Sequence, residues 1–296
     1  MTRLDWEDLP DPVRAAVQDR CGAVVKAETA TSGIMPGVAA RLHTEHGSVF
    51  LKAINADNTA AFLHIREQWA SRALPAAVAA PRLLWSDLVD GWHVMGFEYL
   101  EHAREADLSP GSPDLRPVLA TVADLGRTLT PATAGARSVT ENIAPLQAKG
   151  KHLMNKNALG DDHGLHEAAL NGLDLAAVEG NTFLHYDLSP SNLLITPSGV
   201  RVIDWSFAVR GAAWVEPVML APRLIEAGHT PAQTEDLLEA VPAWRTAPPA
   251  AVTGLIALWT LFRLYKTQYG PEDGRAFRAR AAEAGRAWLR FRLGVV

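Results

Sequence analysis

An α+β fold is what this 296-residue sequence predicts, with a strand-rich first third ahead of a helix-rich remainder. Three observations carry that reading. Short runs rich in β-branched and aromatic residues, closed by glycine-containing turns, crowd the first hundred residues. Two further short apolar runs, near 183–185 and 193–196, stand alone inside the second part. Around them apolar residues recur at helical spacing almost to the end, so helices and strands are segregated rather than alternating.

Taken in order, residues 11–20 read as a short helix with Pro12 at its start, where the missing N–H costs nothing. Residues 24–29 and 38–44 read as strands around a turn-rich loop at 31–37. The His46-Gly47 turn precedes Val49-Phe50-Leu51-Lys52-Ala53-Ile54, a strand by composition. Residues 59–74 have helical periodicity, with Phe62, Ile65, Trp69 and Leu74 falling near one face. A hairpin is expected from 82–87 and 92–99 around Asp90-Gly91. Then come a loop at 109–113, a helix at 115–129, and an irregular stretch at 144–180 expected to hold short helices and a surface insertion. Strands follow at 183–185, 193–196 and 200–203. Beyond Pro217 the pattern is helical, ending in an arginine-rich amphipathic helix at 277–293.

Composition narrows the classes. At 48% hydrophobic and 21% charged residues, the chain is ordinary for a packed domain and too apolar for wholesale disorder. A net charge of −5 argues against a nucleic-acid partner and is compatible with a cationic small molecule. The single cysteine, Cys21, excludes an internal disulfide or a cysteine-based zinc site. The first residues lack the apolar core of a signal peptide, and the run from Ala250 to Phe262 is too short for a bilayer. The expectation is therefore a cytoplasmic protein with no membrane partner. Six of the 28 basic residues are lysine, so Lys52 inside an apolar strand stands out.

The informative stretch is His185-Tyr186-Asp187-Leu188-Ser189-Pro190-Ser191-Asn192-Leu193-Leu194-Ile195, followed twelve residues after Asn192 by Asp204 in Val202-Ile203-Asp204-Trp205. Asp187 and Asn192 fall on the loop between two apolar strands, and Asp204 falls where the next strand ends. Two carboxylates and an amide at strand ends suit magnesium, which prefers oxygen ligands and keeps substrate phosphates in its shell.

This spacing resembles the catalytic loop and metal aspartate of protein-kinase-like enzymes. Ser189 two residues after Asp187, and Trp205 after Asp204, make it most similar to the aminoglycoside phosphotransferase and choline-kinase-like branch. The resemblance implies a two-lobed fold, with a small N-terminal lobe (1–100) built on an antiparallel sheet and a larger, mostly helical C-terminal lobe (101–296). It implies transfer of a phosphoryl group from ATP or GTP, with magnesium, to a hydroxyl of a small molecule. Asp187 would accept or orient the hydroxyl proton, and Asn192 and Asp204 would hold magnesium. Lys52 would contact the α- and β-phosphates and pair with Glu67. Ser32 and Gly33 would offer loop N–H groups and a hydroxyl to phosphate. The backbone of Phe97, Glu98, Tyr99 and Leu100 would meet the adenine, with Leu194 and Ile203 on one face of the ring and Phe50 and Val38 on the other.

Two features depart from the pattern. Thr31-Ser32-Gly33-Ile34-Met35-Pro36-Gly37 is not Gly-x-Gly-x-x-Gly, and the loop-bracing aspartate expected after Asp204 is replaced locally by Glu216. Glu216 either braces the catalytic loop or faces the acceptor. His185 reads as a structural brace. Acidic candidates for holding the acceptor are Asp161, Asp162, Glu216, Glu226 and Asp236, while Lys149, Lys151, His152 and Lys156 leave a neutral or nucleoside-like acceptor open. An antibiotic acceptor, with a role in resistance, leads this reading. A metabolic kinase for choline, homoserine or a sugar, and a nucleotide-binding pseudokinase, are the alternatives. Residues 205–217 leave little room for a protein kinase's activation segment. Oligomeric state is not readable from the sequence.

Overall fold

The computed structural model describes residues 3–31, 33, 35–156 and 158–295. In chain order its elements are β1 (Arg3–Leu4), α1 (Asp11–Cys21), β2 (Val24–Thr29), β3 (Gly37–Thr44), β4 (Gly47–Asn55), α2 (Ala61–Ala73), β5 (Leu83–Val89), β6 (Trp92–Glu98) and β7 (Arg104–Glu105). There follow α3 (Leu115–Thr128), α4 (Val139–Asn155), α5 (His163–Asn171), β8 (Thr182–Leu184), β9 (Leu193–Thr196), β10 (Gly199–Val202) and β11 (Val209–Gly211). Four helices close the chain: α6 (Val215–Glu226), α7 (Pro231–Leu238), α8 (Pro249–Tyr269) and α9 (Arg275–Leu293). Contacts group them into two units, Met1–Glu105 with Ser191–Phe207, and Ala106–Pro190 with Ala208–Val296.

In the first unit β1, β3, β4, β6 and β5 form one sheet in that order, with β2 paired to β3. Except for β1, its strands run antiparallel. Strand alternation sorts β4 into two faces. Leu51 and Ala53 enter a core with Val13 and Val17 of α1, Leu42 of β3 and Val94 of β6. Phe50 and Lys52 therefore face the other way. The β5–β6 turn has positive φ at both Asp90 (49°) and Gly91 (74°), the backbone that matches the twist of a two-residue hairpin. Gly37 is required at the start of β3: its φ is 91°, and a Cβ there would lie 2.3 Å from the Ala53 carbonyl oxygen. Residues 191–207 group with the first hundred because β9 pairs with both β10 and β7, and the Val202 N–H donates to the Ala79 carbonyl at 2.7 Å.

The buried face of α2 differs from the one its apolar periodicity predicts. Phe62, Ile65 and Trp69 are exposed at 49%, 47% and 37%, whereas Ala61, His64, Glu67 and Ala70 are buried. The helix packs on β4, β5, β6 and the turn Trp205–Phe207. Small alanines permit that approach, and Glu67 is turned inward by its pairing with Lys52.

In the second unit β8 pairs antiparallel with β11, and all three β8 residues are buried. Residues 251–261 of α8 are buried all round, as expected of a helix at the centre of a helical core. From Phe262 onward its residues are only half-buried or exposed. The region expected to be irregular opens on the later part of α4, which runs 17 residues despite Pro145 and Gly150, and then holds the short α5. Ser138 caps its start by accepting from the Thr140 N–H, while Pro145, seven residues in, removes one interior hydrogen bond that the helix does without. Among the described residues no helix is long and apolar enough to cross a membrane.

Candidate active site

The first unit brings Lys52, Glu67 and Asp204 together. Lys52 Nζ lies 2.6 and 2.8 Å from the two Glu67 carboxylate oxygens and 3.8 Å from Asp204 Oδ1. It also lies 5.9 Å from the centre of the Phe97 ring. Burial lowers the pKa of the Lys52 ammonium, but Asp204 and Glu67 outweigh it and hold the value above the ordinary one. The lysine stays charged between two carboxylates. Asp204 adopts φ 62°, a left-handed conformation rare outside glycine, at the end of the strand pair. The Ile203 N–H donates to the Asn192 carbonyl at 3.0 Å, fixing the residue before Asp204 against the start of β9. The Trp205 indole N–H donates to the Val202 carbonyl at 3.0 Å.

These groups border a cavity of about 200 Å³. Phe97, Glu98, Tyr99, Leu100, Leu194 and Ile203 line it together with Phe50, Lys52, Glu67 and Asp204. Ser71, Pro81, Ala103 and Trp205 also line it and were not anticipated. Of these, Trp205 carried the one available signal, its place next to Asp204. Val38 does not line the cavity, because its strand position turns it into the core with α1. Nor does Gly33, whose φ is 89° and whose nearest outside neighbour is the Arg3 guanidinium. Ser32 lies outside the described residues. A wider, shallower depression of about 570 Å³ beside Cys21 and His46 contains none of these groups.

The second unit holds the chain that leads from β8 to Asp187. Leaving β8, the chain passes through His185 and then Tyr186, whose φ is 72°. Glu216, in the first turn of α6 and 3% exposed, accepts from the His185 N–H at 2.5 Å and the Tyr186 N–H at 3.0 Å. Burial holds the Glu216 carboxyl above its ordinary range, although His185 and the two N–H groups pull the other way. The Asp187 N–H donates to His185 Nδ1 at 3.2 Å, which leaves the ring proton to Nε2. Glu216 and His185 thus both brace the loop that presents Asp187. Arg223, which sequence reasoning missed, lies 3.9 Å from Asp187 Oδ1 and 2.8 Å from Glu226 while only 4% exposed. The signal was present as a lone cation inside the apolar run of α6.

The sequence model of the phosphotransferase enzyme family matches residues 38–249, about three quarters of the chain. The chain belongs to that family.

Solved structures agree on the fold of this phosphotransferase. The choline kinase LicA from Streptococcus pneumoniae superposes with a TM-score of 0.64 at 17% identity, covering 93% of this chain and 97% of that one. An aminoglycoside phosphotransferase in complex with ADP and hygromycin B gives 0.60 at 18% identity, covering 93% and 98%. A spectinomycin phosphotransferase with ADP and spectinomycin gives 0.62 at 11%, covering 99% and 98%. The fold is thus protein-kinase-like. Among curated proteins no significant match is found.

Of the acids expected to hold an acceptor, several are otherwise engaged in this phosphotransferase. Asp162 bridges Arg286 and Arg290 of α9, both at 2.9 Å, and so ties α9 to the turn ahead of α5. Glu216 serves the loop, Glu226 faces Arg223, and Asp161 and Asp236 are exposed. Among the described residues no cluster of three or more histidine, cysteine or acidic side chains could cage a metal. Asn192 and Asp204 supply one amide and one carboxylate, the donor set expected of a hard cation that keeps waters and substrate phosphates as its remaining ligands.

Proposed function

We propose that this phosphotransferase moves the γ-phosphoryl group of ATP, or of GTP, to a hydroxyl of a small molecule, an antibiotic or a related metabolite. The observation that carries this reading is the Lys52–Glu67–Asp204 group on the wall of a cavity whose remaining lining is largely apolar. An apolar slot with one cation beside a carboxylate suits a flat base joined to a polyphosphate.

In this reading Lys52, held in place by Glu67, meets the α- and β-phosphates, and the Phe97–Leu100 backbone meets the base. Leu194 and Ile203 pack beneath the base. Magnesium, held by Asn192 and Asp204, would offset charge on the phosphate oxygens. Asp187 orients the acceptor hydroxyl and takes its proton. The hydroxyl oxygen forms the new bond to the γ-phosphorus, the bond from that phosphorus to the bridging oxygen breaks, and the nucleoside diphosphate leaves. No phosphorylated enzyme is required. Arg223, 3.9 Å from Asp187 Oδ1, steadies the carboxylate for that role.

The test is acceptor-dependent ADP release across antibiotic classes, choline, homoserine and sugars. Asp187→Ala should reduce it by about 10²–10⁴-fold with folding intact. Wild-type rates in that variant would overturn the role of Asp187, and nucleotide binding with no turnover on any hydroxyl would favour a pseudokinase.

A further inference from the structure

The helices of the second unit gather cations around Arg223, which lies 3.9 Å from Asp187 Oδ1. The Arg223 guanidinium lies over Trp259 at 5.4 Å and Phe277 at 5.6 Å from the ring centres. Arg263, one turn beyond Trp259 on α8, stacks on the same indole at 4.8 Å and on Phe262 at 5.8 Å. Its Nε is buried and meets no acceptor. Lys266 follows one turn later. Lys149 of α4 lies 5.5 Å from Phe262 and 5.8 Å from Tyr265. Arg278 of α9 donates to the Pro271 carbonyl, while its own Nε is buried without an acceptor.

The charges do not balance. Among the described residues Arg263, Lys266, Lys149 and Arg278 form no ion pair with any carboxylate, and the nearby Asp187 and Glu226 are both already faced by Arg223. Burial, then Arg223, holds Arg263 down to about 10. Lys266 is also lowered, by burial first and then by Lys149, Arg278 and Arg263. Crowded cations with unmet N–H donors are unfavourable unless something supplies the missing charge and acceptors. A planar guanidinium and a neighbouring ammonium match a carboxylate or phosphate. The aromatic faces that would otherwise attract an ammonium group are already covered by guanidinium and ammonium groups of the protein.

We propose that the phosphoryl acceptor is an anionic hydroxy compound, its carboxylate or phosphate held by Arg263 and Lys266 while its hydroxyl meets Asp187. This rests on the reading of Asp187 as the group that orients the acceptor hydroxyl. A polycation would meet Arg223 and Arg263 at the same place and be repelled.

The test is coupled ADP release, with ATP and magnesium, on acceptors paired to differ in the anionic group: glucose and glucose 6-phosphate, glycerol and glycerate, ethanolamine and serine. Kanamycin and choline serve as cations. The anionic members should be favoured by about tenfold or more in kcat/KM. Arg263→Gln and the half-exposed Lys266→Gln should each raise KM for the favoured acceptor by about tenfold with KM for ATP unmoved, and Lys266→Arg should restore it. Calorimetric titration of the same compounds into the enzyme loaded with a non-hydrolysable ATP analogue provides a second readout. Failure of every anionic member to bind overturns the inference, as does equal use of neutral or cationic partners. A rise in KM for ATP instead of acceptor would assign the cations to the nucleotide and overturn it too. Turnover of a neutral or cationic acceptor that Asp187→Ala abolishes would remove this inference and leave the proposed function standing. ADP release indifferent to Asp187→Ala would remove both.

Discussion

Asp204 and Asp187, one in each unit, are kept in opposite company. Asp204, in the first unit, shares one lysine with Glu67, so two carboxylates face one cation. Asp187, in the second unit, shares Arg223 with Glu226 and also feels Arg263, around which Arg278 and Lys266 gather with Lys149. One centre has negative charge to spare and suits an added cation. The other has positive charge to spare and suits an added anion. The chain's net charge of −5 foretells neither, because buried charges answer to neighbours a few ångströms away rather than to the sum over the surface.

The largest expected effect breaks the comparison at Asp187. Asp187→Ala should lower kcat by about 10²–10⁴-fold, with far-ultraviolet dichroism unchanged, because the loop is held by Glu216 and His185 rather than by this carboxylate. Next is Lys52→Met, which strands a buried Glu67 and should cost about 3–5 kcal/mol by denaturant unfolding. Glu67→Gln keeps a hydrogen-bond acceptor beside Lys52 and Asp204 and should cost clearly less. Equal losses would mean that the surplus of negative charge is not what makes Lys52 necessary.

A pH titration sharpens the comparison, since each unit buries a neutral histidine. Burial pushes both His64 and His166 down to about 4. Unfolded histidine titrates near 6.5, so between about pH 6.5 and 4 the unfolded chain binds protons that the folded chain refuses. Stability should therefore be full above that window and fall through it, by roughly 3 kcal/mol per histidine. Equilibrium unfolding at stepped pH checks this, and His166→Phe should flatten the acid limb. The smallest effect expected is that of Asp162→Asn, which loosens α9 at the tie to Arg286 and Arg290. It should cost about 1 kcal/mol, less in high salt, with kcat unchanged.

Much of the first centre was legible in the sequence because its signals are local. A strand period of two separates Lys52 from Leu51, and a polar residue at each strand end marks Asn192 and Asp204. The orientation of α2 was not legible. Its apolar residues sit at helical spacing, yet the face that packs carries Glu67, His64 and two alanines. A buried ion pair and close helix approach outweighed three large side chains, which hydrophobic periodicity cannot anticipate.

The sequence alone thus determined the α+β segregation, the family, and the spacing of Asp187, Asn192 and Asp204, because each is written within a short stretch of chain. Tertiary structure decided what surrounds Asp187. Arg223, Arg263, Arg278 and Lys149 come from four different helices. Only helix packing brings them into one neighbourhood, and Arg223 within 3.9 Å of Asp187.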